Sequence, residues 1–319
     1  MSTATANTVG IGRRIVLTAE EWMNCQFEGE GVPLLGTAEH PIVPLFTKNI
    51  VEAPEKAWKT TFLLRLLLGL SCGEVLFPEL SVPEARKVLY LHGELNPPEL
   101  KARLQDAGQG LPRPFTNFVQ ARDLDANLVT EIGQGIISDL VGHYKPDVLV
   151  VDPWQSFIPG VDENSAKETD APRRFLDSLI AGHGLTVFLV MHQGKDRSRG
   201  ARGSSAMAGW RDSRFQLKAN GRNLTVTVEP RWAEPLSVEL QFRNGTVWTK
   251  ERGELSPQVN KVREFVMASG GETTRAALGL FLGLEGDALR KALQRASDAG
   301  VITVDCEHVR LRLSRELIT

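Results

Sequence analysis

The stretch LFTKNIVEAPEKAWKTTFLLRLLLGLSCG, Leu45 to Gly73, decides the fold. It opens as a β-rich run, LFTKNIV (Leu45 to Val51), turns through a short polar loop, and enters a helix that Gly73 closes as a C-cap. A phosphate-binding loop belongs at such a junction, because the backbone N–H groups and dipole of a helix start attract an anion. Against the template GxxxxGK[ST], residues 53–60 match in the last two places. Lys59 would reach the β- and γ-phosphates and Thr60 would ligate Mg²⁺, with Lys56, Trp58 and Thr61 completing the candidate nucleotide-binding set. Ala53 and Trp58 stand where the template has glycine, and a side chain forced into the left-handed conformation costs on the order of 1–2 kcal/mol.

Outward from this loop, β-rich runs alternate with helical segments from about Pro41 to Phe215. The runs are KVLYLHGE (Lys87 to Glu94), DVLVVD (Asp147 to Asp152) and LTVFLVMH (Leu185 to His192). PPELKARLQDAG and TDAPRRFLDSLIAGHG read as helices, each ended by a glycine. That alternation predicts an α/β core with a mostly parallel sheet, whose ligands bind at the carboxyl ends of the strands. Three polar groups fall there: Asp152, suited to hold Mg²⁺; Glu94, suited to orient or deprotonate a water; and His192, suited to sense a γ-phosphate. From Asn223 to Lys250, LTVTVE, LSVELQF and GTVWTK alternate, with a hairpin signal at Asn244-Gly245, and extend or edge the sheet.

A polar break, ERGELS (251–256), precedes a different rhythm. Amphipathic helices are predicted over 256–268, 273–282 and 286–299, then a β-hairpin in VITVDCEHVRLRL, which together make a winged-helix arrangement. The expected organisation is an N-terminal extension over 1–40, the α/β core over 41–250 and the winged-helix domain over 256–319.

Of 319 residues 42% are hydrophobic, enough for ordinary cores. Lys+Arg 37 against Asp+Glu 39 give a net charge of −2, so a nucleic-acid surface must come from local clustering. One cluster is GKDRSRGARGSSAMAGWRDSRFQL (194–217), where Lys195, Arg197 and Arg199 would track a nucleic-acid backbone and Arg202, Arg211 and Arg214 follow. Another is the third predicted C-terminal helix, with Arg290, Lys291 and Arg295, beside Arg310 and Arg312 on the wing. Over 256–319, however, nine Lys/Arg face eight Asp/Glu, a thin footprint for DNA. Cys25, Cys72 and Cys306 are odd in number and lack CxxC spacing, which argues against a disulfide framework and fits a reducing cytoplasm. The longest apolar stretch, Phe62 to Leu70, is too short to span a bilayer and is broken by Arg65, so no membrane partner is expected.

The order of these motifs, Lys-Thr loop, HGELNPPELKARL, VLVVDPWQSF with DENSA, VMHQGKD and RGSSAMAGWRDSRFQL, resembles the RepA-like branch of RecA-fold AAA-family ATPases. That group includes plasmid hexameric replicative helicases and many phage and mobile-element proteins. The resemblance runs from about Leu17 to Val247. It implies a RecA-like P-loop NTPase core using ATP and Mg²⁺, with Lys59 and Thr60 on phosphate and metal, Asp152 on metal, Glu94 as catalytic base and His192 as sensor. It also implies an arginine inserted into the next subunit's site, Arg211 first and Arg202 second, and hence a ring homo-oligomer, expected to be a hexamer. The expected activity is an ATP-dependent motor or remodelling ATPase acting on DNA, single-stranded through the basic loop and duplex through the winged helix. The competing expectation is a nucleotide-binding but hydrolysis-deficient DNA-binding regulator or adaptor, because both loop glycines are replaced, by Ala53 and Trp58. A small-molecule phosphotransferase is a third.

Overall fold

The structure is a computed structural model and describes residues 8–9, 18–27, 31–54, 56–122, 125–192, 205–249, 257–298, 301–305 and 307–311. The chain divides into two compact units, Met1–Lys250 and Glu251–Thr319.

The first unit is built on one nine-stranded sheet. Its strands are β1 (Lys48–Ala53), β2 (Val88–His92), β3 (Phe118–Ala121), β4 (Val148–Asp152), β5 (Thr186–His192), β6 (Ser213–Asn220), β7 (Asn223–Pro230), β8 (Leu236–Arg243) and β9 (Thr246–Thr249). They lie in the order β9-β8-β7-β6-β1-β5-β4-β2-β3, parallel from β6 to β3 and antiparallel from β6 to β9. Helices α1 (Lys59–Cys72), α2 (Pro97–Ala107), α3 (Glu131–Tyr144) and α4 (Asp170–His183) connect the parallel strands, and a short α5 (Ser205–Trp210) precedes β6.

Because side chains alternate across a strand, each central strand feeds two cores. Val88, Tyr90, Val148, Val150, Phe188 and Val190 pack with Phe62, Leu63 and Leu66 of α1 and Leu100 of α2. Leu89, Leu91, Leu149, Val151, Val187 and Leu189 pack with Ile137 and Val141 of α3 and Leu176 and Leu179 of α4. Continuing the two-residue period puts His92, Asp152 and His192, the last residues of their strands, on the α1 face.

Arg65, which interrupts the apolar run of α1, is buried and donates from Nη1 to the carbonyls of Ala107 (2.6 Å) and Gln109 (2.5 Å). Its guanidinium lies 4.3 Å from the Trp248 ring centroid. A cation is favourable there, at the carbonyl end of α2 and over an aromatic face.

Some boundaries differ from the sequence expectation. β1 begins at Lys48 because Phe46 sits at φ 64°, in a turn. β3 and α3 carry no strong sequence signal and were not expected. Gly73 and Gly184 end their helices in the left-handed conformation, at φ 75° and 64°, whereas Gly108 sits at φ −82°.

The second unit contains α6 (Pro257–Ala268), β10 (Glu272–Thr274), α7 (Arg275–Leu282), α8 (Gly286–Asp298), β11 (Ile302–Val304) and β12 (His308–Leu311). Its three-stranded sheet has the order β10-β12-β11. Val262, Val266, Leu278, Leu293, Ala296, Ile302 and Val309 form its core. The helix expected from Thr273 starts at Arg275: residues 272–274 pair with β12, and the Thr274 hydroxyl accepts from the Ala277 N–H at 3.1 Å as an N-cap. Ser256, the expected start of α6, lies outside the described residues. Among the described residues, no helix is long and apolar enough to cross a membrane.

Candidate active site

Parallel register brings the strand tips together: Ala53 pairs with His192, and His92 with Asp152. Between β1 and α1 the loop takes the conformation that the missing glycine would have supplied. Trp58 sits at φ 53°, ψ 32°, and Lys56 at φ 62°. The Trp58 ring stacks on Phe242 of β8, centroids 4.8 Å apart and planes 17° from parallel. Stacking of this kind contributes about 0.5–1.5 kcal/mol beyond area burial, which offsets the left-handed cost at Trp58. The start of α1 has no side-chain cap. Its first backbone N–H groups are therefore suited to an anion.

Lys59 is buried. Its Nζ donates to His192 Nδ1 at 2.6 Å, to the Ala53 carbonyl at 3.4 Å and to the Met191 carbonyl at 3.5 Å. An ammonium has only protons to give, so His192 Nδ1 is the acceptor and Nε2 carries the ring proton. That Nε2 faces Glu94 Oε1 at 3.6 Å. Lys59, His192 and Glu94, expected from the sequence to act as phosphate lysine, sensor and base, thus form one line.

On the other side, the Thr60 hydroxyl donates to Asp152 Oδ2 at 3.3 Å, and the Tyr90 hydroxyl donates to the same oxygen. Burial raises the Asp152 carboxyl to about 6; the nearby Glu94 charge adds to this, while Tyr90, Lys59 and Thr60 oppose it. Burial also lifts the Tyr90 phenol well above its ordinary value and pushes His92 down to about 4. The hydroxyl of Thr60 and the carboxylate of Asp152 are hard oxygen donors, which suit Mg²⁺. Among the described residues, no group of three or more His, Cys, Asp or Glu converges as a metal centre. A cation here would therefore complete its shell with phosphate oxygens and water, as Mg²⁺ commonly does.

Of the residues singled out in the sequence, Lys59, Thr60, Glu94, Asp152 and His192 converge. Thr61 is buried in the first turn of α1, and Lys56 is exposed. Arg211 does not join the cluster within one chain. It lies just before β6, whose Ser213 pairs with Asn49, so it sits at the opposite end of the strands from Ala53. Lys195, Arg197, Arg199 and Arg202 lie outside the described residues, as does Arg312.

On α8, Arg290 and Lys291 are exposed, with Arg290 held to Asp287 at 3.1 Å; Arg295 donates to Gln258 at 3.4 Å. Arg310 is engaged by Glu272 (2.9 Å) and Asp305 (3.0 Å), which reduces its availability to a phosphate.

Sequence reasoning missed two features. Tyr90 and His92 were passed over, although polar residues at i and i+2 in an apolar strand mark one face. Arg214, grouped with the basic loop, instead closes a part-buried ion pair with the buried Glu52 at 2.8 Å, and with Glu229 at 3.3 Å.

Residues 40–198 match the family model described as an AAA domain. None of the curated proteins matches the chain. Among solved structures, one similar chain is titled "Crystal structure of the RadB recombinase", with a TM-score of 0.48 at 15% identity over 65% of this chain and 92% of that one. The match to the AAA-domain model runs across the first five strands of the mostly parallel sheet and the helices that connect them.

Proposed function

We propose that this protein is an ATPase that acts on DNA as a ring of identical subunits, hydrolysing ATP to move along or remodel the strand. The observation that carries the reading is the convergence of Lys59, Thr60, Glu94, Asp152 and His192 at the tips of β1, β2, β4 and β5.

In this reading the backbone N–H groups opening α1 hold the phosphates, and Lys59 turns from His192 to the γ-phosphate. Mg²⁺, held by Thr60 and Asp152, would neutralise charge building up between the β- and γ-phosphates. Glu94 takes the proton of a water that attacks the γ-phosphorus, and ADP and inorganic phosphate leave. His192, bonded to Lys59 on one nitrogen and facing Glu94 with the other, couples phosphate binding to the base. Arg211, which lies at the far end of the strands from its own loop, would in this reading serve a neighbouring subunit. The winged-helix reading of the second unit rests on its element order and on the exposed Arg290 and Lys291 of α8.

The test is phosphate release from Mg²⁺-ATP with and without single-stranded DNA. Wild type is expected to turn over, faster with DNA, and Lys59→Ala to be inactive; no release above the Lys59→Ala background overturns the reading.

Trp58 favours a second reading, a binder that holds nucleotide without turnover. The left-handed Trp58, pinned by Phe242, limits how closely the loop approaches a phosphate. Activity confined to Trp58→Gly would select this reading.

A further inference from the structure

The hydrogen bonds beneath the candidate metal carboxylate have only one consistent direction. The Leu95 backbone N–H, which can only donate, points to His92 Nε2 at 2.6 Å. Nε2 is therefore an acceptor, and in the neutral ring the proton sits on Nδ1. His92 Nδ1 lies 3.3 Å from the Tyr90 hydroxyl, so it donates to that oxygen. The single Tyr90 proton is then committed to Asp152 Oδ2, which also receives the Thr60 hydroxyl. His92 and Tyr90 are both buried. Their rings lie nearly parallel, at 10°, with centroids 5.6 Å apart, which removes rotational freedom from the chain of bonds.

Leu95 directly follows Glu94. The chain thus ties the loop bearing the proposed base to the proposed metal carboxylate and, through Thr60, to the first turn of α1. We propose that Tyr90 and His92 are positioning residues: the one-way sequence Leu95 N–H to His92 to Tyr90 to Asp152 holds Glu94, Asp152 and Thr60 as a single unit. This rests on the ATPase reading, in that Asp152 and Thr60 are taken as the Mg²⁺ pair. Neither residue touches the phosphates in this scheme. They act by fixing one carboxylate oxygen and one loop, and outer-shell partners of this kind typically change metal affinity or activity by about 10–100-fold when removed.

The test has two arms on the full chain. In the first, ¹⁵N NMR of the protein without nucleotide reads the His92 tautomer. A protonated Nδ1 with an unprotonated Nε2 is expected, together with slow hydrogen exchange at the Leu95 amide. A ring protonated on Nε2 overturns the chain of bonds. In the second, Tyr90→Phe, which keeps the ring, is titrated with Mg²⁺ using a fluorescent ATP analogue as probe. The Mg²⁺ needed for half-saturation is expected to rise about tenfold. Binding of the analogue without Mg²⁺ should change less than twofold, and the thermal midpoint should stay within a few degrees. His92→Gln, which loses the Tyr90 link, is expected to lower kcat with little change in KM. Wild-type Mg²⁺ dependence in Tyr90→Phe, or unchanged kcat in His92→Gln, overturns the positioning role. If the wild type shows the expected tautomer yet binds no Mg²⁺-nucleotide, the ATPase reading fails and the positioning role with it; the hydrogen-bond geometry stands, so that failure is distinguishable from a wrong tautomer.

Discussion

Lys59 Nζ lies 2.6 Å from His192 Nδ1, and the opposite nitrogen of that ring faces Glu94. One side chain therefore spans the group that would hold the γ-phosphate and the group that would activate water. His192→Ala is expected to lower kcat about tenfold while leaving KM for ATP within about twofold, since it removes the coupling and leaves the phosphate contacts. Steady-state kinetics on both variants, His192→Ala and Lys59→Ala, separates them: the lysine change should abolish nucleotide binding itself.

Trp58 is held in the left-handed region by its stack on Phe242. Replacing it with glycine relieves about 1 kcal/mol of backbone cost and forfeits about 2–3 kcal/mol of burial and stacking. Trp58→Gly is thus expected to destabilise the protein by about 1–2 kcal/mol in urea unfolding. Phe242→Ala should also destabilise, without the compensating relief.

Much of this site is legible in the sequence, for identifiable reasons. Strands β2, β4 and β5 announce themselves as largely apolar runs because both faces are covered, and Glu94, Asp152 and His192 fall at or just past their ends. Trp58's conformation follows from the template position it occupies. What the sequence hides is which face each residue of a wholly apolar strand takes. The i, i+2 spacing puts Tyr90 and His92 on one face, but it is the register setting His92 against Asp152 that brings that face to the site. α3 was hidden for another reason: Gly133, Gly135 and Gly142 weaken its helical signal, although Gly133 is packed against the Asn127 backbone, where a Cβ would clash at 2.2 Å.

Asp152 and His92 make opposite contributions to the pH dependence of stability. Asp152, raised to about 6, binds its proton better in the folded chain, so its contribution falls as pH climbs from about 4 to about 6. His92, lowered to about 4, binds its proton better in the unfolded chain, so its contribution grows as pH climbs from about 4 to about 6.5. In wild type the two largely cancel. Asp152→Asn is expected to unmask a gain over that window, on the order of 3 kcal/mol at most. His92→Asn should unmask the corresponding loss, both read by urea unfolding at the two ends of the window.

Glu52 is buried and depends on Arg214 for its counter-charge. Arg214→Ala strands that carboxylate and is expected to cost about 3–5 kcal/mol. The double variant Glu52→Gln/Arg214→Met should recover most of the loss, as read by thermal and urea unfolding.

The proposed chemistry turns on Glu94, which is exposed at the strand tip and faces the His192 ring. The most direct measurement is single-turnover hydrolysis of Mg²⁺-ATP by wild type and Glu94→Gln, with nucleotide binding measured in parallel. Binding retained in both, with hydrolysis reduced about 100-fold or more in Glu94→Gln, is the expected result. Equal hydrolysis in the two proteins, or none in wild type despite tight binding, would contradict the assignment of this cluster as an ATP-hydrolysing site.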